Sequence, residues 1–148
     1  METSTELLGY CGLYCADCPA YTGEIADAAK NLSEVLTKFK VEQTAATTFP
    51  EEFRDVSKLQ KTLEFMGNMR CTTICRQRED TAVSCQIRKC CKEKGFFGCH
   101  ECAEFEDCDK IRSFMQGSHA DACIANLKSI KEQSVETWIE KGNRLWFL

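Results

Sequence analysis

Only two histidines occur in the 148 residues, no His-Glu-x-x-His run is present, and no Gly-rich phosphate loop appears. These absences remove the zinc-protease and phosphate-cradle chemistries that depend on such motifs. Long apolar runs are also missing. No window approaches the roughly 18 apolar residues of a membrane helix, so no span is expected. The start, METSTELLGY, carries Glu2 and Glu6 and has neither a basic opening nor a short apolar run, so it does not read as a secretory signal. A surplus of positive charge is absent too. The net charge is −4, whereas nucleic-acid-binding domains carry a basic footprint. No internal repeat or low-complexity stretch is evident.

Cysteine is what the chain has in excess. Twelve of them amount to about 8% of the residues, near the level at which a short sequence reads as a cysteine scaffold. With no secretory signal, the expectation is a cytoplasmic protein in which thiols stay reduced and clustered cysteines bind metal rather than form disulfides. The length predicts one domain, residues 1–148, large enough to bury a core without staples.

Apolar periodicity predicts helix over residues 20–68. Ile25, Ala28, Ala29, Leu32, Val35, Leu36 and Phe39 recur at intervals of three and four, the spacing of one helical face. Phe49-Pro50 breaks the pattern, and Pro50 suits the first position of a second helix with Glu51 and Glu52 in its first turn. Phe53, Val56, Leu59, Leu63 and Met66 then share one side until Gly67-Asn68 stops it. From residue 71 to 108 neither helical nor strand periodicity is sustained, and loops and short turns are expected. Helix returns over 109–142. Ile111, Phe114 and Met115 suggest a short one ending near Gly117, and a last one, Ala120 to Lys141, sets Leu127, Ile130, Ser134 and Trp138 on one side with Gly142 as its stop.

Eight cysteines crowd into the loop segment: Cys71, Cys75, Cys85, Cys90, Cys91, Cys99, Cys102 and Cys108. Its other apolar side chains are Ile74, Ala82, Val83, Ile87, Phe96, Phe97, Ala103 and Phe105, too few to order the segment against backbone entropy. Metal would close that gap. Thiolates are soft ligands suited to zinc or iron–sulfur clusters, and C-x2-C places two of them on one ion from a tight turn. Cys15/Cys18 and Cys99/Cys102 are such pairs. Cys90, Cys99, Cys102 and Cys108 supply four ligands within 19 residues and form the best-defined candidate site. A second would join Cys11, Cys15 and Cys18 to Cys71, Cys75 or Cys85. Cys91 and Cys123 fall outside the pairing and read as buried apolar side chains.

His100, inside the C-H-E-C knuckle, reads as an exposed turn residue and His119 as a residue near the start of the last helix. Arg76, Arg78, Arg88, Lys89, Lys92 and Lys94 outnumber Glu79, Asp80 and Glu93. They read as cations offsetting thiolate charge more than as a patch for an anionic partner. Cys90 and Cys91, beside Arg88, Lys89 and Lys92, meet the electrostatic condition for a reactive thiol. No histidine lies near in sequence to serve as their base, so catalysis is not the favoured reading.

The stretch YCGLYCADCPAY has the C-x3-C-x2-C spacing of radical S-adenosylmethionine enzymes. Asp17 stands where those enzymes carry an aromatic residue, helix follows, and a chain this short without strand–helix alternation cannot make their barrel. The compact ferredoxin run of cysteines is also absent. Taken together, YCGLYCADCPAY, CQIRKC at Cys85 to Cys90 and KGFFGCHECAEFEDC at Lys94 to Cys108 resemble a family of small cysteine-rich bacterial and archaeal proteins classed as a domain of unknown function. The resemblance implies metal binding and points to Cys11, Cys15, Cys18, Cys85, Cys90, Cys99, Cys102 and Cys108. The chain departs from that pattern in the wider Cys71-x3-Cys75 spacing and in Ala82, where a cysteine often stands.

The expected architecture is therefore mainly α: helices packed on a cysteine-rich, loop-dominated, metal-stapled region with little regular strand. The expected function is zinc binding in a structural or interaction module, with another protein as its candidate partner. An iron–sulfur or thiol redox protein is the alternative, and a small cysteine- or metal-dependent enzyme comes third.

Overall fold

The structure is a computed structural model and describes residues 4–78, 85–114 and 117–147. Ala82, Val83, Glu79, Asp80 and Met115, each used in the sequence argument, lie outside them. Among the described residues there are eight helices: α1 (Pro19–Thr22), α2 (Glu24–Lys38), α3 (Val41–Thr48), α4 (Val56–Gly67), α5 (Gln86–Lys94), α6 (Asp109–Phe114), α7 (Ser118–Gln133) and α8 (Val135–Lys141). Short 3-10 turns punctuate the loops, and the only strand-like feature among the described residues is an isolated antiparallel bridge between Leu8 and Tyr14. The mainly α, loop-rich class is thus the observed one. No helix among the described residues is long and apolar enough to cross a membrane.

The chain divides into two compact units, Asp17–Thr72 on one hand and Met1–Ala16 with Thr73–Leu148 on the other. In the first, the expected helix from residue 20 is broken twice by left-handed backbone, at Gly23 (φ 83°) and at Lys40 (φ 49°). Pro50 does not open the next helix. Residues 50–55 form turns, and α4 starts after Asp55 and ends at Gly67–Asn68, where the sequence places its stop.

The apolar stripe of α2 is inward only in part. Ala29 is buried and Leu36 half-buried, whereas Ile25, Ala28, Leu32, Val35 and Phe39 are exposed, and Ala26, off the stripe, is buried too. α2 and α4 pack together: Leu63 and Gly67 of α4 are buried, Gln60 of α4 donates to Ser33 of α2 at 2.6 Å, and a Cβ on Gly67 would stand 2.9 Å from Lys30 Cγ.

The second unit has two adjoining buried clusters. One gathers Leu8, Tyr14, Ile130, Trp138 and Ile139, with the Tyr14 and Trp138 rings edge to face at 6.2 Å. The other gathers Tyr10, Leu13, Ile87, Phe105, Ile111, Ile124 and Leu127 around the buried thiols Cys11, Cys91, Cys99 and Cys123. The last helix is broken at Ser134 (φ 89°), whose hydroxyl accepts from the Thr137 N–H and starts α8. Leu127, Ile130 and Trp138 are buried as expected, and Ser134 is the exposed hinge between them. Buried Asn126 of α7 donates to Gly12 O (3.0 Å) and Leu145 O (2.8 Å) and accepts from the Leu145 N–H (3.0 Å). One side chain thereby ties the N-terminal loop and the C-terminal tail to the same helix.

Candidate metal centre

The segment expected as pure loop contains a helix. Gln86-Ile87-Arg88-Lys89-Cys90-Cys91-Lys92-Glu93-Lys94 is rich in long, unbranched side chains that lose little freedom in a helix. Ile87 and Cys91, four apart, turn inward together. The helix ends at Gly95, whose φ of 68° lies in the left-handed region that glycine adopts without strain. The Gly95 N–H bonds Lys92 O (3.2 Å) and the Phe96 N–H bonds Cys91 O (2.9 Å), the paired bonds of a Schellman cap.

That cap turns the chain back on α5. The Cys99 N–H then bonds Tyr10 O at 2.9 Å, and the Phe97 N–H bonds the Glu101 carboxylate at 2.6 Å. A 3-10 turn over Cys99–Glu101 brings the Cys102 N–H to Cys99 O (3.0 Å), and a second over Phe105–Asp107 ends at Cys108. Cys108 O accepts from the Ile111 N–H at 3.0 Å in the first turn of α6. Helix, cap and two turns thus project cysteines into one place.

That place is a cavity of about 580 Å³ lined by Cys90, Cys91, Cys99, Cys102 and Cys108, with Phe96, Phe105, Lys94 and Lys110 among its other walls. All four cysteines of the best-defined sequence candidate line it. Cys91 lines it as well, although its spacing gives no sign of this. Its position four residues after Ile87 on a helical face was the available signal.

Cys91 Sγ and Cys99 Sγ stand 3.5 Å apart. The hydrogen bond they share pushes the Cys91 thiol down and, together with burial, pushes the Cys99 thiol far up. Among the described residues no three His, Cys, Asp or Glu side chains converge on a point as the ligands of one ion would.

The remaining candidate ligands are divided. Cys11 is buried and hydrogen-bonded to Cys123; that bond, with burial, raises the Cys11 thiol, and the same bond lowers the Cys123 thiol against its own burial. Cys75 and Cys85 pack against the same cluster. Burial raises the Cys75 thiol, and Arg88 hydrogen-bonds it in the opposite sense. Cys15 lies in this unit too, half-buried, whereas Cys18 and Cys71 belong to the helix-pair unit. There Cys18 precedes α1 as its N-cap residue and the Cys71 N–H bonds Ala20 O at 2.8 Å.

The cations around residues 76–94 are partly internal. Arg76 lies over the Phe97 ring at 3.7 Å and the Tyr10 ring at 4.7 Å while donating to Leu8 O and Phe97 O, both at 2.8 Å. Arg88 is buried. Arg76 and Lys94 both draw the Cys91 thiol downward, in keeping with cations that offset thiolate charge. His100 is half-buried rather than exposed, with Nδ1 enclosed and its ring edge-on to Phe97 at 6.3 Å. His119, in the first turn of α7, bonds Trp146 O at 2.7 Å and packs on the Trp146 and Phe147 rings.

Residues 7–113 match a family described as a protein of unknown function, DUF3795, and the chain belongs to that family. Neither the curated proteins nor the solved structures compared with the chain include a match.

Proposed function

We propose that this protein binds metal through a thiolate centre formed by Cys90, Cys99, Cys102 and Cys108, and that the centre staples the cysteine-rich unit as a structural or interaction module. The observation that carries the reading is the convergence of these four cysteines, with Cys91, on the walls of one cavity. Soft thiolates suit zinc and iron–sulfur clusters alike. Zinc is the first reading, in the closed four-thiolate form that leaves no open position for catalysis.

An iron–sulfur cluster is the second reading: four cysteine thiolates hold such a cluster too, and five cysteines line the cavity.

Anaerobic purification followed by elemental analysis for zinc, iron and sulfide, with an optical spectrum, separates the readings. Zinc without colour supports the first. Iron with sulfide and absorbance near about 400 nm supports the second. Protein folded and free of both metals sinks the proposal. So does the double variant Cys99→Ser, Cys102→Ser if it keeps both metal content and thermal stability.

A further inference from the structure

Two of the thiols that line the cavity are already in contact. Cys91 and Cys99 are 2% and 7% exposed, their Sγ atoms are 3.5 Å apart, and both line the cavity. A disulfide needs about 2.05 Å, so the sulfurs have roughly 1.5 Å to close. The backbone brings the two thiols together. Gly95 and the Phe96-to-Cys91 bond reverse the chain after α5, and the Cys99-to-Tyr10 bond fixes the returning strand of loop.

We infer that Cys91 and Cys99 are a redox-active dithiol, a modification site oxidised to an intramolecular disulfide by a small disulfide compound that enters through the cavity. In the first step one of the two cysteines, as thiolate, attacks a sulfur of the reagent, forming a mixed disulfide and expelling one thiolate. The other cysteine then attacks the protein sulfur of that mixed disulfide. The second reagent thiolate leaves, and the Cys91–Cys99 bond forms. Two protein thiols lose two protons and two electrons, and one reagent disulfide becomes two thiols.

The pair is singled out from the other thiols by geometry. Cys11 and Cys123 also touch, but neither lines the cavity. Cys90 lines it and is the sequence neighbour of Cys91, yet adjacent cysteines can close only a strained ring. Disulfide formation at Cys99 removes one thiolate from the proposed metal centre. That consequence rests on the metal reading, while the dithiol itself does not.

The full chain, reduced and desalted without oxygen, is exposed to oxidised glutathione, quenched by alkylation at intervals, digested with trypsin and mapped by mass spectrometry. A chromogenic chelator follows released metal in parallel. The expected first product joins the Cys90-Cys91-Lys92 peptide to the Gly95–Lys110 peptide and disappears with dithiothreitol. It is lost in Cys91→Ser and in Cys99→Ser and kept in Cys90→Ser, with circular dichroism confirming that the variants fold. A cross-link that survives Cys91→Ser, a first disulfide between Cys99 and Cys102, or mixed disulfides alone would overturn the inference. Untreated protein without metal defeats the metal centre and leaves the cross-link to decide the dithiol. Metal released equally from wild type and Cys91→Ser severs the dithiol from the centre.

Discussion

The two units of this chain solve the problem of a small core differently. The helix-pair unit buries Ala26, Ala29, Leu63 and Gly67 and leaves Ile25, Leu32, Val35, Phe39, Leu59 and Phe65 exposed. The cysteine-rich unit encloses Trp138, Phe105, Leu8, Ile87, Ile111, Leu127 and Ile130, and its second cluster has thiols where other proteins have aliphatic side chains. Small side chains permit close helix contact but enclose little apolar surface. Sulfur in a core encloses surface and adds chemistry to it.

The contrast can be broken by mutation, because both tryptophans, Trp138 and Trp146, lie in the cysteine-rich unit and their fluorescence reports on it alone. Leu127→Ala, at a fully enclosed position, is expected to cost about 2–5 kcal/mol, seen as a fall in the denaturant midpoint of that fluorescence. Asn126→Ala strands two carbonyls and one N–H and is expected to cost about 1–3 kcal/mol by the same measurement. Lys40→Gly, which relieves left-handed backbone in the helix pair, should stabilise that unit by about 1 kcal/mol in a melt followed by circular dichroism at 222 nm. Leu59→Ala, on the exposed side of α4, should change the same melt by no more than about 0.5 kcal/mol. If Leu59→Ala cost as much as Leu127→Ala, the outer face of the helix pair would be as well packed as the sulfur-rich core, and the comparison would collapse.

The sequence made the helical class, the stops at Gly67-Asn68 and Gly142 and the company of Cys90, Cys99, Cys102 and Cys108 legible. Each is a local signal: a period, a glycine or a spacing. The exposure of Ile25, Leu32 and Val35 on α2 was not legible, because an amphipathic period tells which residues share a face and not how much of that face a neighbour covers. The breaks at Lys40 and Ser134 were hidden as well, since both residues take positive φ without being glycine. Helix α5 is obscured in the sequence because Ile87 is the single aliphatic side chain in a run of charged, polar and cysteine residues, so no apolar period stands out. Cys91 was missed with it, because its role comes from a contact across the cap and not from any spacing.

Gly95 gives that cap a kinetic meaning. By folding residues 92–98 into a hydrogen-bonded return, it sets each thiol of the Cys91–Cys99 pair at an effective concentration that a free thiol in solution does not reach. Competition between closing on each other and staying joined to an outside thiol is then decided by the backbone. The oxidant's abundance sets how often the pair is challenged, and the turn sets which bond survives.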